Sequence, residues 1–291
     1  MKLAYYPGCT LKTKARNLEE SALAGLRELG VEFIELDQWN CCGAVYSLAT
    51  DDLIHQVAPL RNLIRVQQEE CDAVFTLCSQ CYNTLARANV RVNENAEDLK
   101  TLNTFMDEEP DYGGSVTVMH FLTLLRDVVG WDKLKSAVKK PLKGLKVAPT
   151  YGCSLIRPDP VAITPNNTPV IMAEFLEAVG AEPVQSPDSN TCCGSFQALG
   201  NPDAALETSG RILRSAQKAG AQALVLSCPM CDYNLGRRQP AIVEKYEEIN
   251  EMPVYYFTQL LAVALGLEAD VCRFDLNSPE KDGNTLTAAA V

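Results

Sequence analysis

The chain has 291 residues, a formal charge of -11 at neutral pH and 47% hydrophobic residues. That is enough material for two ordinary cores. With no basic run longer than two residues it is too acidic for a nucleic-acid surface, which clusters Lys and Arg. No stretch approaches the roughly 18 consecutive apolar residues of a spanning helix, and MKLAYYPGC shows no charged-then-apolar leader, so a soluble, cytoplasmic protein is expected.

In chain order, apolar runs at 3–7, 32–36, 73–77 and 116–120 predict short buried strands. Between them, apolar residues at helical spacing predict helices over 17–29 (opened by Asn17), 51–69 and 80–91. Residues 130–144, where charge and a Pro-Leu-Lys-Gly turn interrupt the pattern, read as a boundary. The series then repeats, with strands near 145–151, 182–186, 222–227 and 254–257 and helices near 168–179, 202–219, 230–237 and 258–266. Strands alternating with helices imply an α/β fold of two similar parallel-sheet domains arising from an internal duplication. The expected division is 1–140, 141–267 and a tail, 268–291, either loose or laid against a partner chain.

The cysteines carry the same repeat. Cys9, Cys41-Cys42 and Cys78-x-x-Cys81 in the first half match Cys153, Cys192-Cys193 and Cys228-x-x-Cys231 in the second, with intervals of 31 and 35 residues against 38 and 34. CCGAVYSL matches CCGSFQAL, and LCSQCYNTL matches SCPMCDYNL. Ten of the twelve cysteines belong to this pattern, too many for an ordinary thiol population in a reducing compartment. Each set follows strand ends, which brings it to the rim where ligands of parallel sheets sit.

Three chemistries compete for five such thiols. Zinc takes four ligands in a closed tetrahedron, for which a vicinal pair is poorly shaped. A thiol–disulfide oxidoreductase needs one C-x-x-C at a helix start and leaves the other three cysteines unexplained. An iron–sulfur cluster spreads several irons over a few ångströms, so adjacent thiolates can ligate different irons. It fits best, with zinc in one half as the alternative. Gly8, Gly152, Gly43 and Gly194 flank the cysteines and suit tight turns around a bulky group.

The repeated pattern, with CCG in each half, resembles the cysteine-rich CCG domain of the heterodisulfide reductase B-type family, over residues 1–267. That resemblance implies two noncubane [4Fe–4S] clusters. Cys9, Cys41, Cys42, Cys78 and Cys81 would hold one, and Cys153, Cys192, Cys193, Cys228 and Cys231 the other. It also implies cleavage of a disulfide (that of coenzymes M and B, or a bacterial equivalent) between them. Electrons would come from a flavin-containing A subunit that bifurcates them, through a ferredoxin-like C subunit. The iron–sulfur subunits of lactate, glycolate and succinate-type dehydrogenases share CCG motifs, often with incomplete cysteine sets, and supply the alternative of an electron relay.

Outside the ligand sets, His120 ends a strand and could reach the rim, and Lys12, Lys14 and Arg16 after Cys9, with Arg157 after Cys153, could attract an anionic substrate. Arg237 and Arg238 follow the second C-x-x-C. Cys71 reads as a buried small hydrophobe, Cys272 as an exposed incidental thiol and His55 as an ordinary helix-face residue.

Overall fold

The computed structural model describes residues 2–44, 52–164 and 168–290. Among the described residues, eight strands form two four-stranded sheets, one per half. They are β1 (Leu3–Tyr5), β2 (Ile34–Glu35), β3 (Ala73–Thr76) and β4 (Thr117–His120), then β5 (Lys146–Pro149), β6 (Glu182–Pro183), β7 (Ala223–Leu226) and β8 (Val254–Tyr256). The orders are β2-β1-β3-β4 and β6-β5-β7-β8, and every pairing is parallel. All four residues of β3 and of β7 are buried, because helices cover both faces of these central strands and only a continuous apolar run suits that position. Pro183 falls on an edge strand, where its missing N–H costs no ladder bond.

In each sheet the chain leaves the first strand towards one edge and returns to the other side of it. β1 and β3, like β5 and β7, therefore flank a topological switch point. Connections diverge there and leave a crevice beyond the strand ends.

The two halves share one core. The helix Arg16–Glu28 of the first half packs along Phe257–Ala264 of the second, so closely that a Cβ on Gly25 would lie 2.9 Å from Leu261 Cδ2. Ser21 Oγ donates to Thr258 Oγ1 at 2.7 Å across the same contact. Phe257 meets Phe121 at 5.6 Å and Phe175 at 5.5 Å between ring centroids, extending the junction to the other side.

The structure adds to the sequence expectations and corrects some of them. Within the stretch 130–144, Trp131–Ala137 is helical, with Trp131 packed on Phe175 and its Nε1 donating to Glu174 at 3.2 Å. A helix over Ala96–Phe105 follows the first C-x-x-C helix directly, capped by Asn95, whose side chain accepts from the Glu97 and Asp98 amides. Its polar sequence, AEDLKTLNTF, hid it. The tail, far from loose, lies against its own chain. Phe274, Asn277 and Leu286 are buried, and Asn277 bonds Asn17 at 2.9 Å and Gln259 at 2.8 Å. Cys272 is thereby fully enclosed rather than exposed. Cys71 is buried as expected. The predicted helix 51–69 starts with a turn at Leu53–Gln56 and runs as Val57–Gln68; residue 51 lies outside the described residues.

Candidate iron–sulfur sites

Cys78 caps the helix Ser79–Glu94 and Cys228 caps Pro229–Asp232, each just past the end of a central strand. Cys81 and Cys231 sit in the first turn of those helices, where their cysteine neighbours and burial push both thiols well above the ordinary range against the pull of the positive dipole end. Gly8, at φ 72°, turns the chain after β1 so closely over the first helix that a Cβ there would lie 3.0 Å from Cys81 Sγ. Gly152, at φ 65°, does the same over Cys231 at 3.4 Å. Both positions favour glycine for its backbone, and Gly8 also for the space.

The vicinal cysteines arrive on loops clamped from behind. Asn40 donates through Nδ2 to the Ala58 carbonyl at 3.0 Å, its carbonyl accepts from Tyr6 Oη at 2.9 Å and from Asn62 Nδ2 at 3.0 Å, and its N–H donates to Asn62 Oδ1. In the second half Arg157 Nη2 donates to the Asn190 carbonyl at 2.8 Å, and Ser209 Oγ to the Cys193 carbonyl at 2.9 Å. Arg157 therefore holds the loop ahead of Cys192 in place.

These supports bring the five cysteines of each half together. Cys9 and Cys41 lie 3.9 Å apart, Cys42 and Cys81 3.5 Å, and Cys153 and Cys192 3.9 Å, all between sulfurs. Cys78 lies beside Cys81, and Cys193 and Cys228 both lie beside Cys231, near enough to shift one another's ionisation. Cys9 and Cys41 are exposed, Cys153 and Cys192 half-buried, and the other six buried. Hydrogen bonds from Cys41 and Cys81 hold Cys42 well below the usual thiol range, and bonds from Cys228 and Cys81 do so for Cys78. Cys192 is held at about 2 by Cys153 and Cys193, with the N–H groups of Gly194 and Ser195. Thiols crowded so closely share protons, and ionising them together requires positive charge among them. A polynuclear iron core would provide it. Among the described residues no group of three or more His, Cys, Asp or Glu is arranged to hold a single metal ion.

The two sets touch. Cys78 and Cys228 face each other across the junction of the halves, near enough for each to shift the ionisation of the other, and Ser79 Oγ lies 2.7 Å from Ser227 Oγ beside them. An apolar cleft of about 510 Å³ opens next to this junction. Its walls are Thr10 and Lys14 after Cys9, Phe196 and Leu199 after the second CCG, and Met230 between Cys228 and Cys231. Asp232 and Tyr256 also line it. Burial raises Asp232 to about 6 against the opposing pull of Arg237, 3.3 Å away.

The sequence candidates outside the cysteines separate by place. Lys14 lines the cleft, and its carbonyl accepts from Arg237 Nη2 at 3.0 Å. Lys12 points elsewhere, paired with Glu19 at 2.7 Å and Glu35 at 2.5 Å. Arg16 pairs with Glu20 at 2.6 Å, and Arg238 donates to the Pro202 carbonyl at 3.3 Å. His120 is completely buried, its Nδ1 accepting from the Leu122 amide and its Nε2 facing the Leu77 carbonyl at 3.2 Å, so it presents no surface to a substrate. Sequence reasoning missed Asp232, Tyr256, Phe196 and Leu199. The matched helix LCSQCYNTL and SCPMCDYNL pointed to the neighbourhood, but only the fold shows which side of it lines a cleft.

The family model of the cysteine-rich CCG domain matches this chain twice, over residues 3–86 and 147–236. The chain is 32% identical over 270 residues to the membrane anchor subunit of 8-methylmenaquinol:fumarate reductase from Wolinella succinogenes, covering 92% of this chain and 93% of that one. It is 31% identical over 282 residues to the B subunit of a ferredoxin/F(420)H(2)-dependent CoB-CoM heterodisulfide reductase from Methanosarcina acetivorans, covering 95% and 93%. Among solved structures, a hypothetical protein from Helicobacter pylori superposes with a TM-score of 0.77 at 13% identity, over 96% of this chain and 52% of that one, a likeness of fold alone. No helix among the described residues is long and apolar enough to cross a membrane. The duplicated CCG match and the near full-length identities together establish that the chain belongs to the cysteine-rich CCG family that includes the B subunit of heterodisulfide reductase.

Proposed function

We propose that this chain is the disulfide-reducing component of a heterodisulfide-reductase-like complex, its ten repeated cysteines holding two noncubane [4Fe–4S] clusters. The observation that carries the reading is the meeting of the two five-cysteine sets at Cys78 and Cys228, beside a cleft walled by both halves. When bound, the two clusters each supply one of the two electrons that splitting a disulfide into two thiols consumes. The protein's own part is to bind and orient the disulfide. Phe196, Leu199 and Met230 offer apolar surface that displaces water around it. Lys14 and Arg237 at the cleft favour an anionic group on the substrate. Asp232 and Tyr256 place a carboxyl and a hydroxyl at the same cleft, within the protein's reach of a product thiolate. The partners that fit this role are a ferredoxin-like C subunit and a flavin-containing A subunit, with the complex in the cytoplasm.

A second reading follows from the likeness to the fumarate reductase anchor. In it the chain relays electrons within a quinol- or dehydrogenase-type complex and has no substrate of its own. Reducing the isolated protein anaerobically and adding small disulfides separates the two. The disulfide-reductase reading expects the reduced clusters to be reoxidised with two thiols released per disulfide, whereas a relay leaves every disulfide untouched.

A further inference from the structure

The two halves match cysteine for cysteine but differ three residues beyond the last cysteine of each set, where the first half has Thr84 and the second Asn234. Both residues are buried, and each lies against the second cysteine of its half's vicinal pair, Thr84 against Cys42 and Asn234 against Cys193. They differ in what they can donate. The Thr84 hydroxyl has one proton, for which the Gln80 carbonyl at 2.9 Å and the Cys42 sulfur compete. The Asn234 amide has two. Its Nδ2 lies 3.2 Å from the Cys193 carbonyl oxygen and 3.6 Å from Cys193 Sγ. Both neighbours are acceptors, so they fix which end of the amide faces them. Oδ1 is left buried without a hydrogen-bond partner among the described residues. A threonine, as in the first half, would leave no such orphan.

We propose that Asn234 is a positioning residue that raises the reduction potential of the second-half cluster through its N–H···S bond to Cys193, making the two clusters inequivalent. This rests on the reading of the ten cysteines as ligands of two clusters. Reduction adds negative charge that is partly carried by the sulfurs, and a fixed N–H donor stabilises that charge, so the potential rises. Backbone N–H groups serve the vicinal pair in both halves, Gly43 and Ala44 in one and Gly194 and Ser195 in the other, so they do not set the halves apart. The side chains do, because Thr84 divides one proton between a carbonyl and sulfur whereas Asn234 has one for each.

The test is an EPR-monitored redox titration of the full chain as wild type, Asn234→Thr and Thr84→Asn, with iron and sulfide measured on each sample. Asn234→Thr should keep its iron and lower the midpoint of one centre by about 59 mV, a tenfold change in a one-electron reduction constant, leaving the other centre unmoved. Thr84→Asn, which brings a second amide donor to Cys42, should raise the other centre. Unchanged midpoints in both variants at full iron content would overturn the assignment. If Asn234→Thr sheds iron because the amide also steadies the Cys193 carbonyl, Thr84→Asn decides alone: an upward shift supports the proposal and none overturns it. A wild-type chain with no iron would overturn the cluster reading instead.

Discussion

Ser79 and Ser227, from opposite halves of the duplication, join their hydroxyls at 2.7 Å beside the contact of Cys78 with Cys228. Both serines are buried, so the pair ties the two cysteine loops together where water cannot compete. Ser79→Ala should cost about 1–3 kcal/mol, the penalty for leaving the Ser227 hydroxyl unpartnered. The double change Ser79→Ala with Ser227→Ala should cost less than the sum of the single ones. Urea midpoints of the four proteins check this, and strictly additive losses would show that the hydroxyls are not coupled.

Gly8 separates two demands on a glycine. At Gly8 a Cβ would lie 3.0 Å from Cys81 Sγ, while at Gly30, with a similar φ of 69°, it meets nothing within 4 Å. Gly30→Ala should lose about 1 kcal/mol of stability from backbone strain and keep full iron. Gly8→Ala should lose about half the iron, the first-half share of two clusters. Equal iron in both variants would mean that the approach of Gly8 to Cys81 does not shape a cluster site.

His120 gives the structure a pH dependence of known sign. Burial lowers its pKa to about 3, opposed only in part by the bond to the Leu77 carbonyl, from an ordinary value of 6.5. Below that ordinary value the unfolded chain takes up a proton that the folded one refuses. Stability therefore falls as pH drops from about 6.5 towards 3, by about 1.4 kcal/mol per unit, and this contribution is intact above that window. His120→Asn should be less stable than wild type at pH 7.5, through loss of the Leu77 bond, and the gap should narrow by about 1.4 kcal/mol at pH 5.5. Denaturant titrations at the two pH values measure it; a constant gap would contradict a buried, neutral imidazole.

The C-terminal segment is structural. Asn277 bonds Asn17, Gln259 and the Val254 carbonyl, fastening the tail to both halves. Asn277→Ala should cost about 2–3 kcal/mol, since it strands buried polar partners, and should expose Cys272 to a thiol reagent. Unaltered reactivity of Cys272 would show that the tail is held by other contacts.

What was legible in the sequence follows physical lines. The central strands β3 and β7 had to be continuous apolar runs, and strand–helix alternation then required parallel sheets, so the architecture and the strand-end placement of Cys9, Cys78, Cys153 and Cys228 could be read. Contacts between halves could not. Nothing local marks Ser79 as the partner of Ser227, or Cys272 as a residue enclosed by its own chain. His120 looked like a rim residue because it ends a strand, but its ring packs against Phe257 and Tyr82 and does not line the cleft. The cleft itself comes from side chains of both halves, so its apolar character is spread over segments that carry no signal individually.

The most direct test of two five-cysteine cluster sites is iron, acid-labile sulfide and zinc per chain in anaerobically purified protein. The account predicts about eight irons and about eight sulfides, the content of two four-iron clusters, with zinc negligible. About four irons with one zinc per chain, or zinc alone, would contradict it.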